Sequence, residues 1–194
     1  MNDDSRPMYS RATQETTAPG STFKPLSAMA GLCEGVISTS PSDTITCSGV
    51  YTKVSNHPKC WVFTQYGGSH GAENVISAIK DSCNCYFYEV GYRLGSTGNG
   101  LSNDLGLEKL QKYARMFGFG DKSGIEVEES EPRISDETIV PSMIGQGTNN
   151  YTVSQIAKYV TTIANGGTCY NLSLLDKVTD SKGNLVEEYG STVY

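Results

Sequence analysis

The sequence predicts an α+β chain in which helices dominate and strands are few and short. Three observations carry this. Apolar residues recur at three- and four-residue spacing in five separate stretches, while strict alternation is confined to short ones. Gly, Pro, Asn and Thr sit where these stretches start and stop, as caps do. No internal repeat or low-complexity segment interrupts the pattern.

The first helix is expected from the Pro19-Gly20 turn, with Phe23, Leu26, Met29, Ala30 and Leu32 on its core face and Gly31 and Gly35 as the stop. Pro25 fits only because the first helical turn needs no partner for its missing N–H. Residues 36–70 read as a long irregular excursion rich in Ser, Thr, Pro and Gly. Val50, Tyr51, Trp61, Val62 and Phe63 are its expected anchors, which favours an ordered loop. From Glu73 the helical period returns, with Val75, Ile76 and Ile79 on one face. A second helix follows with Tyr86, Phe87, Val90 and Leu94, closed by Gly95. A third carries Leu107, Leu110, Ala114 and Phe117, capped by Gly118.

GIEVE (124–128) alternates and is expected as a short strand. Beyond the loop IGQGTNN (144–150), Thr152 reads as an N-cap for a helix built on Val153, Ile156, Ala157, Val160, Ile163 and Ala164. Asn165-Gly166-Gly167 ends that helix. The tail, LLDKVTDSKGNLVEEYG, reads as two short strands around a Lys-Gly-Asn turn. Gly145 and Gly147 flank Gln146 in a loop expected to need positive φ.

At 194 residues the chain suits one domain or a large piece of one. A formal charge of -6 argues against nucleic acid as a partner. No window approaches the roughly 18–20 apolar residues of a membrane span, and MNDDSRPMYS is too polar and acidic for a signal peptide. The six cysteines are Cys33, Cys47, Cys60, Cys83, Cys85 and Cys169. None is followed by a second Cys or His pair at zinc-like spacing, so a metal site is not expected. Cys47 and Cys60 flank a loop that a disulfide would tie down, and free thiols are the equal alternative.

Chemistry is expected at two places. Ser21 and Lys24 stand at i and i+3, so on a helix they share one face. A serine hydroxyl becomes a nucleophile when a base takes its proton, and a lysine with a lowered pKa can be that base. A capping serine followed by a surface lysine explains the same residues without catalysis. Ser82 and Asn84 lie at a junction between two expected helices, where a turn can aim both into one cleft. There a hydroxyl can relay a proton and a carboxamide can hold a peptide group. The alternative is that one of them caps the helix starting near Cys85. His57 and His70 are assigned no catalytic role; His70 is expected to hold a loop or line the cleft edge.

PGSTFKP (19–25) followed by SCNCYFY (82–88) resembles the penicillin-binding protein transpeptidase family, whose signature is S-x-x-K with S-x-N and K-T-G. RPMYSRATQETTAPGSTFKP (6–25), the stretch from Gly67 to Gly95, FGFGDKSGIEV (117–127) and the stretch from PSMIGQG to Gly167 are similar to the family in order and spacing. The resemblance implies a serine D,D-transpeptidase of class B, with residues 1–194 forming a partial transpeptidase domain. It implies Ser21 as the acylated nucleophile, Lys24 as its base, Ser82 as a proton relay, Asn84 as the holder of the donor peptide, and the Ser21 N–H as an oxyanion donor.

Its implied partners are peptidoglycan stem peptides ending in D-Ala-D-Ala and β-lactam antibiotics, with no cofactor and no metal. The implied location is the extracytoplasmic face of a bacterial membrane, reached through a segment outside this chain. A penicillin-sensing receptor domain and a non-catalytic cell-wall binding module are the alternatives on the same scaffold.

The sequence departs from the pattern in two respects: Cys83 stands in the middle of the S-x-N triplet where β-lactamases carry Asp, which leans toward a transpeptidase, and there is no K-T-G, the lysines after residue 122 being Lys158, Lys177 and Lys182. The expectation is therefore the helical part of the family's fold with most of its five-stranded sheet missing, and slow or undetectable acylation for these residues alone.

Overall fold

The computed structural model describes residues 8–194. In chain order its elements are β1 (Thr16–Thr17), α1 (Lys24–Cys33), β2 (Ile45–Cys47), α2 (Trp61–Tyr66), β3 (Gly71–Glu73), α3 (Val75–Lys80), α4 (Asn84–Leu94), β4 (Ser96–Thr97), β5 (Gly100–Leu101), α5 (Asn103–Met116), α6 (Ile139–Ser142), β6 (Tyr151–Thr152), α7 (Val153–Ala164), β7 (Lys177–Thr179) and β8 (Leu185–Glu188). A 3₁₀ turn, Gly20–Phe23, leads into α1. Among the described residues every ladder has two strands, all antiparallel: β1 with β6, β2 with β3, β4 with β5, and β7 with β8. The helix-rich α+β character is as the sequence suggests.

The chain divides into two compact units. One comprises Ala18–Tyr113 and Ile134–Asn149. Its centre is α4, whose Tyr86, Phe87, Val90 and Leu94 are all buried, together with Phe23, Leu26 and Ala30 from the serine turn and α1. Close helix contact is permitted by Gly91, where a Cβ would come within 2.7 Å of the Met143 side chain. Glu89, buried on α4, ties down the long excursion: it accepts from Tyr51 Oη at 2.8 Å, Lys53 Nζ at 2.7 Å and Arg93 Nε at 3.1 Å. Burial alone would raise the Glu89 pKa, but the bonds from Lys53, Tyr51 and Arg93 outweigh it and hold the carboxyl below its usual range.

The other unit comprises Met1–Thr17, described from Met8, with Ala114–Arg133 and Asn150–Tyr194. Its core is a stack of rings in which Phe119 lies 4.1 Å from Tyr151 and 5.1 Å from Tyr159. Buried Lys158 donates to Asn171 Oδ1 at 3.0 Å and lies 3.8 Å over the Tyr194 ring. Thr152 and Gln155 form a capping box at the start of α7.

Several expectations need correction. Leu26, Ala30 and Val75 are buried as expected, but Met29, Ile76 and Ile79 are exposed, and α3 buries Ala78 in place of the two isoleucines. On α7 the burial is reversed: Ser154, Gln155, Lys158, Tyr159 and Thr162 are inside, while Val153, Val160 and Ile163 are exposed. The cap and the ring stack claim the polar side of that helix, so hydrophobic period alone picked the wrong face. GIEVE is not a strand. Buried Glu129 takes the Ser123 N–H at 2.6 Å and the Ser123 hydroxyl at 3.0 Å, folding that stretch into a loop. The excursion 36–70 carries β2 and α2 rather than being wholly irregular. The two tail strands pair as expected.

Candidate active site

All four residues singled out for chemistry fall in the same unit, at the ends of α1 and α4. Ser21 sits inside the 3₁₀ turn, so it is not the helix N-cap the sequence suggested; Pro19 precedes the turn and Phe23 precedes α1. The turn is pinned from across the unit. Gly20 N–H donates to Gly145 O at 3.1 Å, and Ser27 Oγ donates to Met143 O at 2.7 Å. Gly145 has φ 68°, and a Cβ there would lie 2.2 Å from Gly20 O. The glycine expected in that loop is therefore required twice, by conformation and by space.

Lys24 is the first residue of α1 and is only 1% exposed. Its Nζ donates to Ser82 O at 2.7 Å, Ser82 Oγ at 2.8 Å and Asn84 Oδ1 at 2.7 Å. Ser82 Oγ in turn donates to Ser21 Oγ at 3.1 Å. A hydroxyl thus bridges the candidate nucleophile and the candidate base. Burial lowers the Lys24 pKa to about 8, and negative charge at Cys60 opposes that shift in part.

Ser82 lies between α3 and α4 with φ 51°, a left-handed conformation that side chains rarely adopt. That kink turns Ser82 and Asn84 to the same side despite their spacing. The cap of α4 is neither of them: the Cys83 sulfur accepts the Tyr86 N–H at 3.5 Å. Asn84 is instead the first residue of α4. A cleft of about 450 Å³ opens over the group, lined by Gly20, Ser21, Trp61, Ser82, Asn84, Ile144 and Gln146. The Trp61 indole donates to Asp81 O at 3.1 Å and so stands as one wall beside Ser82.

Behind this wall lies a group that linear spacing did not reveal. Cys47, Cys60, His70 and Cys83 bring their ligand atoms within 4.8 Å of one another. The three cysteines are buried and none is in a disulfide, so Cys47 and Cys60 are free thiols. Cys60 Sγ lies 3.6 Å from His70 Nδ1 and accepts the Asn84 N–H at 3.3 Å. Hydrogen bonds from the Cys83 and Cys85 thiols push the Cys60 pKa down, and the same bonds, with burial, push Cys83 and Cys85 up. His70 packs its ring 5.5 Å from that of Trp61 and is not among the residues that line the cleft. The signal was hidden because each residue comes from a different segment, so no short motif could mark the set.

Comparison with known proteins bears on the family and the fold. Residues 1–192 match the penicillin binding protein transpeptidase domain. The chain is 31% identical to the peptidoglycan D,D-transpeptidase MrdA of Haemophilus influenzae over 97% of its own length and 29% of that protein's. It is also 31% identical to the stage V sporulation protein D of Bacillus subtilis, over 80% of the chain and 22% of that protein. Among solved structures, a chain of a peptidoglycan synthase complex superposes with a TM-score of 0.77 at 27% identity, covering 99% of this chain and 32% of that one. Penicillin-binding protein A from M. tuberculosis, in an imipenem acyl-enzyme complex, superposes at 0.79 with 21% identity, covering 99% of this chain and 42% of that one, and so speaks for the fold alone. This chain thus spans less than a third of the length of the curated relatives it matches, and over that span it belongs to the penicillin-binding protein transpeptidase family.

Proposed function

We propose that the protein carrying this chain is a class B peptidoglycan D,D-transpeptidase that is acylated on Ser21. The observation that carries the proposal is the contact chain from Lys24 Nζ through Ser82 Oγ to Ser21 Oγ, at 2.8 and 3.1 Å, beside an open cleft. With all three donors engaged, Lys24 is in its ammonium form. In the neutral form Nζ has a lone pair, so the Ser82 hydroxyl can donate to it and accept from Ser21.

Ser21 Oγ then attacks the carbonyl of the penultimate D-Ala of a stem peptide, while its proton moves to Ser82 and that of Ser82 to Lys24. The oxyanion is met by the Ser21 N–H. As the tetrahedral intermediate collapses, Lys24 returns a proton through Ser82 to the departing D-Ala amine, leaving an acyl ester on Ser21. An amine of a second stem peptide attacks that ester; its proton passes to Ser82 and Lys24 and back to Ser21 Oγ as the acyl C–O bond breaks, which forms the cross-link and frees the serine. A β-lactam enters by the same attack, but its leaving amine stays tethered, so the ester persists.

The substrate lies outside the cytoplasmic membrane, which sets the proposed place of action. No helix of the described residues is long and apolar enough to cross a membrane. The test is the rate of labelling of the full protein by a fluorescent penicillin. Ser21→Ala is expected to abolish labelling, and Ser82→Ala to slow it by about 10²- to 10⁴-fold, the usual worth of a positioned proton carrier. Unchanged labelling of Ser21→Ala would refute the proposal.

A further inference from the structure

We propose that Trp61 and Tyr66 form an aromatic corner that seats a sugar ring of the glycan strand carrying the acceptor stem peptide. The corner takes its substrate class from the transpeptidase reading and rests on it. Helix α2 buries none of its residues, so core packing does not account for its aromatic content. Val62 and Phe63 turn inward: a Cβ on Gly49 would lie 2.6 Å from Phe63 Cδ2, and one on Gly68 would lie 3.9 Å from Val62 Cγ2. Trp61 and Tyr66 face outward, 36% and 75% exposed. Their rings stand 6.3 Å apart at 76°, edge to face. Such a pair offers a ligand one flat wall and a second wall nearly perpendicular to it.

The chemistry of the corner selects its occupant. A pyranose has apolar C–H faces and a polar rim, so its face stacks on an aromatic ring while its hydroxyl and N-acetyl groups keep their hydrogen bonds. The Trp61 N–H is already given to Asp81 O at 3.1 Å. The indole is thereby fixed in orientation and offers a ligand only its ring. Residues 60–69, CWVFTQYGGS, carry no charged side chain, which suits a neutral ring and gives a phosphate or an acidic peptide no partner. The corner is also continuous with the cleft, because Trp61 lines it together with Ser21, Ser82 and Asn84. Its place beside Ser82 points to the acceptor strand. The acceptor amine enters where the D-Ala amine leaves, within reach of Ser82 Oγ, and the Trp61 indole is tied to the residue next to Ser82. A stem of a few extended residues spans on the order of 10 Å, so the sugar follows its amine onto the wall on that side.

The experiment reads binding in the full protein carrying Ser21→Ala, where no acyl transfer at that serine can contribute. The probes are a fluorescently labelled disaccharide bearing an acceptor stem without its D-Ala-D-Ala end, and the same stem without sugar, each titrated by fluorescence anisotropy. The disaccharide probe should bind more tightly. Adding Tyr66→Ala should weaken it about three- to tenfold, the worth of one stacked ring, with a smaller change for the sugar-free stem. Tyr66→Phe keeps the ring and should restore the affinity, and Tyr170→Ala, an exposed aromatic of the other unit, should leave it as it was. Equal affinity for the two probes, or an equal loss of both on Tyr66→Ala, would overturn the corner. In protein with Ser21 intact, penicillin acylation should leave the disaccharide probe bound; its displacement would overturn the assignment to the acceptor strand. Failure of penicillin to label Ser21 would count against the transpeptidase reading, while the corner itself is still decided by the two probes.

Discussion

At the scale of single residues, the account turns on one amine. Lys24 is lowered to about 8 by burial, and it faces Ser82, Asn84 and the Phe87 ring, with Cys60 and Cys83 nearby. Only its neutral form can accept the proton of the nucleophile, so acylation should rise with pH and level off above about 8. A pH–rate profile of penicillin acylation checks this; a rate that is flat from pH 6 to 10 contradicts Lys24 as the base. Gly145 offers a second check. A side chain there would meet Gly20 O at 2.2 Å from a backbone at φ 68°, so Gly145→Ala should cost about 1–3 kcal/mol. Acylation should also slow, because the displaced turn is the one that carries Ser21. Thermal unfolding and labelling measured on the same sample separate the two effects.

At the scale of elements, α4 links the cleft wall to the rest of its unit through Glu89. Replacing Glu89 with Ala leaves Lys53, Tyr51 and Arg93 without their shared acceptor and should cost about 2 kcal/mol, the range of a buried bond to a charged group. The folded carboxyl is held below its ordinary pKa. Its contribution is therefore present at neutral pH, above the unfolded value, and fades as pH falls through the acidic carboxylate range. Denaturant unfolding at pH 7 and at pH 4 should show the penalty of Glu89→Ala shrinking at the lower pH.

The elements also show what the sequence could and could not disclose. Helices whose apolar stripe is answered by a neighbour, such as α4, were legible down to their buried residues. So were the Thr152 cap and the positive-φ loop at Gly145, because they rest on local chemistry. Pattern failed on α7, where capping and ring stacking override the stripe, and at GIEVE, where Glu129 draws the chain into a loop. In the site, Ser21 and Lys24 were legible as neighbours on one turn. That Ser82 bridges them depends on a left-handed residue, and that Cys47, Cys60, His70 and Cys83 meet depends on four separate segments. Neither is written in local spacing.

At the scale of the whole molecule, a family match over residues 1–192 and the contact chain at Ser21 lead to one claim: a serine that becomes esterified. The most direct test is to treat the full protein with penicillin and map the adduct by peptide mass spectrometry. The account predicts a single penicilloyl ester, on the peptide containing Ser21 and absent from Ser21→Ala. An adduct on Ser82, on a cysteine or on any other residue while Ser21 stays unmodified would contradict it.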